Sequence, residues 1–383
     1  MYFDLEPKSV REDLYDFDEQ FNKLLDLLRG ERARAPMVVI IGPRRAGKTS
    51  LLQTALGESG VPHLILNGMA FAEVPVIRRR SLLRALEREL NDAIERERKW
   101  GEKFLDILKG IRWLKVNSKP PWIHFEWERP DEEFDLLEIL QSFNRLARDH
   151  GTKFVFVLDE AQEFRRLKGY RLQALMAYTY DYLKNVQMIV TGSQFGFLHD
   201  FLEVDDPDSP LYGRGMVEVR VPRITSELAA DFLSKGLKQA GIKPDEDAIT
   251  SAVRELDGIM GWLTLFGSES VGAGCCTREI LRKTIEKGSK IAANEFKNFL
   301  RTREQARSRY IRILRSAARL KCARWVDLKR DLELEERKKI SNNVFSDLVD
   351  NLVRGGFLEK NEDGTYSIAD PLLGHAIRSG LVR

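Results

Sequence analysis

Hydrophobic positions along this chain change their period several times. In DEQFNKLLDLLRG, from Asp18, the apolar residues Phe21, Leu24, Leu25 and Leu28 recur at helical spacing, and Gly30 ends the pattern. MVVIIG follows, apolar throughout and β-branched, as a parallel strand buried on both faces requires. SLLQTALGES predicts a helix and HLILNG a second strand. From Ser81 to about Trp100 the chain predicts a long helix with Arg and Glu alternating on its solvent side. PPWIHFEWERP reads as extended, and DEEFDLLEILQSFNRLARDHG as another helix. KFVFVLDE and VQMIVTGS predict two more buried strands, and MVEVRVP a fifth. Strands alternating with helices make a parallel sheet covered on both faces, an α/β fold. After Pro222 the strand signals stop. Three parts are expected: a core over 1–222, a helical lid over 223–297, and a winged-helix domain over 298–383. In the last part three helical patterns precede a strand-turn-strand signal, GFLEKNEDGTYSIA.

The chemistry sits where strands end. Directly after the first strand, GPRRAGKTS comprises Gly42, Pro43, Arg44, Arg45, Ala46, Gly47, Lys48, Thr49 and Ser50. Gly42-x4-Gly47-Lys48-Thr49 is the phosphate-binding loop, whose glycines let backbone N–H groups curl around phosphates at a helix N-terminus. Lys48 is expected to neutralise the β and γ oxygens and Thr49 to hold Mg2+. FVFVLDE ends in Asp159 and Glu160 at the edge where open α/β sheets bind ligands. Asp159 is expected to bind Mg2+ through water, and Glu160 to activate the attacking water. The extra strand between these two motifs points to the ATPase branch that uses a catalytic glutamate, and no Asn-Lys-x-Asp stretch for guanine occurs. ATP or ADP is thus the expected ligand, with Mg2+ as cofactor and slow hydrolysis as the reaction. Thr191 and Ser193, at the end of the next strand, are candidate γ-phosphate sensors. Arg214 precedes the fifth strand as a candidate arginine finger, in its own chain or across a subunit contact. Arg44 and Arg45, which the motif leaves unspecified, are expected to face the lid or the C-terminal domain.

Bulk properties narrow the setting. The chain has 383 residues, 43% hydrophobic and 32% charged, with a net charge of +3, the profile of a globular protein of two or three domains. No apolar run approaches the ~20 residues that span a bilayer. The mixed N-terminus lacks a signal-peptide pattern. Three cysteines, two of them adjacent, make no disulfide framework, so a cytoplasmic setting is expected. The five histidines show no metal-ligand spacing.

GPRRAGKTSLL, VFVLDEAQEF, IVTGSQFGFL, DPDSPLYGR and GIMGWLTLFG together resemble the archaeal ATPase family, part of the signal-transduction ATPases with numerous domains (STAND) and related to AAA+ proteins. The likeness spans nearly the whole chain, and LDEAQEF and SPLYGR are its most specific stretches. It implies sheet order 5-1-4-3-2, a helical lid and a C-terminal winged helix. It also implies that the N-terminal REDLYDFDE packs near the adenine. Asp16-Phe17-Asp18 stands where the family usually has Asp-Arg-Glu, and Gly258-Ile259-Met260 where its lid usually has Gly-x-Pro. Met260 and Trp262 read as lid core.

Between Lys297 and Arg330 twelve Lys or Arg accompany two acids, a net +10. The expected recognition helix from Ser341 carries Asp347 and Asp350, and the wing carries Glu359, Glu362 and Asp363. Base reading favours Arg, Asn or Gln at the helix start, and only Arg337, Lys338, Lys339, Asn342 and Asn343 supply such groups. Two uses therefore stay open: docking, with the arginines meeting an acidic surface of the ATPase core or a protein partner, and DNA binding by a nucleotide-gated regulator.

Overall fold

The computed structural model describes residues 1–30, 37–71, 74–96, 103, 106, 114–119, 122–127, 136–193 and 195–382. Helix α1 (Asp18–Arg29) buries Phe21, Leu24, Leu25 and Leu28, the face its spacing predicts. Strand β1 (Met37–Ile41) is buried at every position and leads into α2 (Lys48–Ser59). β2 (His63–Asn67) and α3 (Arg79–Arg96) follow. β3 (Leu114–Lys119) and β4 (Trp122–Trp127) pair antiparallel as a separate hairpin. β4 lies within the stretch read as extended. β3, with the sequence LKVNSK, offers no apolar run to predict it. The core continues with α4 (Leu136–Asp149), β5 (Phe154–Asp159), α5 (Leu172–Tyr182), β6 (Val186–Gly192), α6 (Phe195–Leu202) and β7 (Met216–Arg220).

Five strands form one sheet in the order β2-β5-β6-β1-β7, all neighbours parallel. Numbered as core strands one to five, that is 5-1-4-3-2 from the β7 edge, the order the family resemblance implies. Successive side chains on a strand point to opposite faces, so each strand feeds two cores. Val38, Ile40, Val155 and Val157 belong to one, with α1, α2 and the helices after residue 225. Met37, Val39, Ile41, Phe154, Phe156 and Leu158 belong to the other, with α3 and α4.

After the sheet come α7 (Ser226–Gln239), α8 (Glu246–Leu256), α9 (Met260–Ala273) and α10 (Arg278–Arg301). α11 (Arg307–Leu320), α12 (Trp325–Glu336) and α13 (Asn342–Arg354) precede the hairpin β8 (Leu358–Lys360) and β9 (Tyr366–Ile368), making the expected winged helix. Ser341 caps α13, accepting a bond from the Val344 amide. A last helix, α14 (Pro371–Arg378), returns against α10, where Gly288 leaves no room for a Cβ beside Leu372.

Among the described residues, Arg309, Arg312 and Arg319 of α11 find their carboxylates within the winged helix and not on the core. Arg309 forks onto Glu336 at 2.9 Å, Arg312 reaches Glu335 at 3.2 Å, and Arg319 pairs with Asp331. All three acids stand on α12, so these charges are largely compensated within the winged helix. Contacts from the winged helix onto the rest of the chain use other residues: Arg223, at the start of the lid, bonds Glu359 of the wing at 2.9 Å, and Arg354 reaches Asp200 of the core at 3.3 Å.

Candidate nucleotide site

Everything in the site hangs on the carboxyl ends of β1, β5 and β6. The chain leaves β1 at Ile41 and turns through residues 42–47 into α2. Gly42 packs on the backbone of residue 221, where a Cβ would lie 2.2 Å from the Val221 carbonyl oxygen. Gly47 takes φ 103°, which L side chains rarely adopt. No side chain caps α2, so its first amides and the positive end of its dipole face the loop. Lys48 is only 4% exposed and donates from Nζ to the carbonyl oxygens of Gly42 (3.1 Å) and Pro43 (2.8 Å). Burial pulls its pKa down, against the opposing pull of Glu160 and Asp159.

Asp159 ends β5, 2% exposed, and accepts a hydrogen bond from the Thr191 hydroxyl on neighbouring β6. The same hydroxyl accepts the Glu160 amide at 3.1 Å, so one threonine fixes both acids. Burial raises the Asp159 pKa. Glu160 takes a left-handed backbone (φ 50°), and its Oε2 accepts from Gln162 Nε2 (2.6 Å), Ser193 Oγ (2.6 Å) and the Ser193 amide (3.3 Å). Burial pushes the Glu160 pKa up, but Lys48, Ser193 and Gln162 outweigh it, and the carboxyl lies below its usual range. It is therefore ionised at neutral pH, the state a general base needs.

A cavity of about 260 Å³ opens against Lys48, Thr49, Ser50 and Glu160. Its far walls are Tyr15 and Phe17 of the N-terminal segment and Met260 and Thr264 of α9.

Residues 18–189 match the AAA ATPase domain family, and residues 304–369 match the MCM protein C-terminal winged helix-turn-helix domain. A Walker-type ATPase of Pyrococcus abyssi is 32% identical over 99% of this chain and 100% of its own, with a TM-score of 0.81. The chain belongs to the Walker-type AAA+ ATPases. The ORC2 protein of Aeropyrum pernix, in its ADPNP–ADP complexes, shares the fold at 13% identity and TM-score 0.60, over 98% of each chain. No curated protein matches the sequence. As the motifs imply, this AAA+ protein is a P-loop ATP hydrolase that binds adenine nucleotide.

In this ATPase Ala46 is buried and donates its amide to the Pro43 carbonyl at 3.3 Å, closing the loop. Ser50 accepts the Lys8 amide at 3.1 Å, so it anchors the N-terminal segment over α2. Phe17 caps α1 with φ 64° and packs beside Gly47, an apolar wall where the family usually has an arginine. Met260 takes a cavity wall as well, while Trp262 is lid core at 1% exposure.

Arg44 and Arg45 point where the motif left them free to point. Arg45 forks onto Glu295 of α10 and lies 4.1 Å over the Trp262 ring, and its carbonyl accepts the Gly261 amide at 2.8 Å. Gly261 has no alternative there, because a Cβ would meet Arg45 Cβ at 2.7 Å. Arg44 shares Glu295 at 3.3 Å and lies 5.8 Å from the ring of Phe357, beside the wing. Trp262 Nε1 in turn donates to both carboxylate oxygens of Asp370 at 3.1 and 3.2 Å. Asp370 caps α14 through the Leu372 amide. A continuous chain of contacts thus joins the phosphate loop, the lid and the C-terminal helix.

Arg214 is not brought to the cavity of its own chain. Asp181 on α5 and the Pro210 carbonyl hold its guanidinium instead. The Ser193 hydroxyl is committed to Glu160. Gln162 escaped the sequence reading although it lies two residues beyond Glu160 in LDEAQEF, because only the folded turn brings its amide back onto the carboxylate. The link from Trp262 to Asp370 spans 108 positions and carries no local signal.

Proposed function

We propose that this ATPase is a Mg2+-dependent conformational switch, in which the state of the phosphate loop sets the position of the lid and winged helix, and the winged helix docks a protein partner. One observation carries the reading: Arg45, a residue of the phosphate loop, holds Glu295 and Trp262 of the helices after the core, and Trp262 holds Asp370 beyond the winged helix. A triphosphate entering the loop takes up the first amides of α2 and competes for Lys48. Lys48 exchanges the Gly42 and Pro43 carbonyls for phosphate oxygens, and the loop shifts with Arg45 on it. Glu160 accepts the proton of the attacking water, with Ser193 and Gln162 orienting its carboxylate.

One hydroxyl and one carboxylate, Thr49 and Asp159, form a sparse oxygen donor set of the kind Mg2+ takes while keeping most of its water. When bound there, Mg2+ neutralises charge on the β and γ phosphates. The moving parts correspond to the core, residues 1–222, and to the lid and winged helix after it, which α10 (Arg278–Arg301) links without a break across the expected 297/298 boundary. Three free cysteines suit a reducing cytoplasm.

Docking is favoured over DNA reading because the wing and the end of α13 are already engaged with the lid and the core, through Glu359 and Arg354. Exposed Arg337, Lys338, Lys339 and Asn343 support the second reading, a DNA-contacting regulator. Hydrogen exchange at β8 and the end of α13 tests the switch. ATP added to the Glu160→Gln protein is expected to change their protection, and identical protection with and without ATP removes the proposal. A duplex titration separates the DNA reading, since phosphate contacts make affinity fall steeply with salt.

A further inference from the structure

A second cavity, of about 580 Å³, lies beyond Glu160, between the 3-10 turn Ala161–Arg166, α6 and the segment from Asn298 to Arg303. Its volume falls within the ~300–1,000 Å³ typical of small-molecule pockets. Five arginines line it, Arg44, Arg165, Arg166, Arg301 and Arg303, against two acids, Glu163 and Glu295. Both acids are already used. Arg166 pairs with Glu163 and spends its remaining donors on the carbonyls of Phe71 and Val74. Glu295 takes Arg44 and Arg45.

That leaves Arg165 and Arg303 short of negative charge. The paired carboxylate of Arg165, Asp200, stands 3.9 Å away. Arg303 donates to the Phe299 carbonyl (3.0 Å) and the Thr302 hydroxyl (2.9 Å), and pairs with no carboxylate among the described residues. Both guanidiniums lie against the ring of Phe197, at 4.1 and 5.3 Å from its centre. Burial lowers both pKa values; Arg303 and Arg166 press that of Arg165 down further, while Asp200 and Glu163 only partly restore it, and Tyr310 and Glu163 only partly restore that of Arg303. Arg44 adds a buried Nε with no hydrogen-bond partner. Partly desolvated guanidiniums that outnumber the carboxylates around one cavity are the arrangement that a phosphate group relieves, since each fork matches two phosphate oxygens.

We propose that this cavity is a second anion site, taking a small phosphate-bearing molecule between Arg44, Arg165 and Arg303. The three come from the phosphate loop, the turn after the catalytic glutamate, and the segment that joins the lid to the winged helix. An anion there ties these parts together.

Calorimetric titration of the Lys48→Ala protein with pyrophosphate, and separately with orthophosphate, tests the site with the nucleotide loop disabled. One bound anion per chain is expected, with affinity falling tenfold or more when Arg303→Gln or Arg165→Gln is added. Far-UV circular dichroism checks folding of each variant. Should Arg303→Gln fail to fold, Arg303→Lys keeps the charge, loses the fork and is expected to weaken binding in the same direction. Equal affinity for both anions makes the occupant free phosphate, such as the product of hydrolysis, and preference for pyrophosphate makes it a diphosphate-bearing small molecule. Absence of binding by either anion, or binding indifferent to both arginines, overturns the proposal.

Discussion

Trp262→Phe isolates the contact that joins the lid to the C-terminal helix. Phenylalanine keeps an aromatic ring under Arg45 and fills most of the space of a side chain that is 1% exposed. It removes the indole N–H that lies 3.1 and 3.2 Å from the Asp370 oxygens. A hydrogen bond to a charged group contributes about 1.5–3 kcal/mol. Asp370 keeps the Leu372 amide at 2.8 Å, so the lower half of that range applies. The weaker cation–π contact of phenylalanine adds a loss of about 0.5 kcal/mol. The substitution is expected to destabilise the folded chain by about 2–3 kcal/mol, read by urea unfolding followed with far-UV circular dichroism. Asp370→Ala closes a double-mutant cycle, and the account requires a coupling energy of about 1–2 kcal/mol between the two positions. Coupling below about 0.3 kcal/mol would refute the reasoning, because the contact would then join nothing.

Lys48→Ala is expected to abolish ATP binding by calorimetry, while Glu160→Gln retains binding and loses about 10²–10⁴-fold in phosphate release, the usual contribution of a general base. Undiminished turnover in the latter removes Glu160 as the base. Ser193→Ala frees the Glu160 carboxylate from one of its two side-chain donors, and should lower kcat about tenfold with KM little changed; a rise in KM alone would make Ser193 a ligand contact instead. Burial raises the Asp370 pKa above 3.8. The folded state thus holds that proton more tightly than the unfolded chain, so this group's contribution is fully present below 3.8 and is lost as pH rises through the folded value. Asp370→Asn removes the loss, and its stability relative to the parent protein is expected to improve as pH rises from 3.8 towards neutrality, with a parallel pair of pH profiles as the contrary result.

The strands of the large sheet were legible as short, largely apolar runs, buried at every position in β1, β5 and β6 and only at Val219 in β7. β3 was not, since only Leu114 and Val116 of LKVNSK are apolar, and among the described residues it pairs with its hairpin partner β4 alone. The position of Asp159 and Glu160 at the phosphate loop was legible because they end such a run. What the acids touch was not: Thr191 reaches them across the sheet, and Gln162 only through a left-handed turn at Glu160. Charge counting identified the basic stretch before and along α11 but not the partners of Arg309, Arg312 and Arg319, which stand on α12 and become neighbours only when the two helices pack. Arg45 could be set apart as unspecified by the motif, yet Glu295 lies 250 positions away and no local pattern names it.

Nucleotide in the loop is proposed to move the winged helix. Spin labels placed on α4 in the core and on α12 allow the distance between them to be measured by pulsed electron paramagnetic resonance in the Glu160→Gln protein. The account predicts that saturating ATP with Mg2+ shifts the distance distribution, and that Trp262→Phe reduces the shift while ATP still binds. A distribution unchanged by ATP, or a shift of full size in the Trp262 variant, would contradict it.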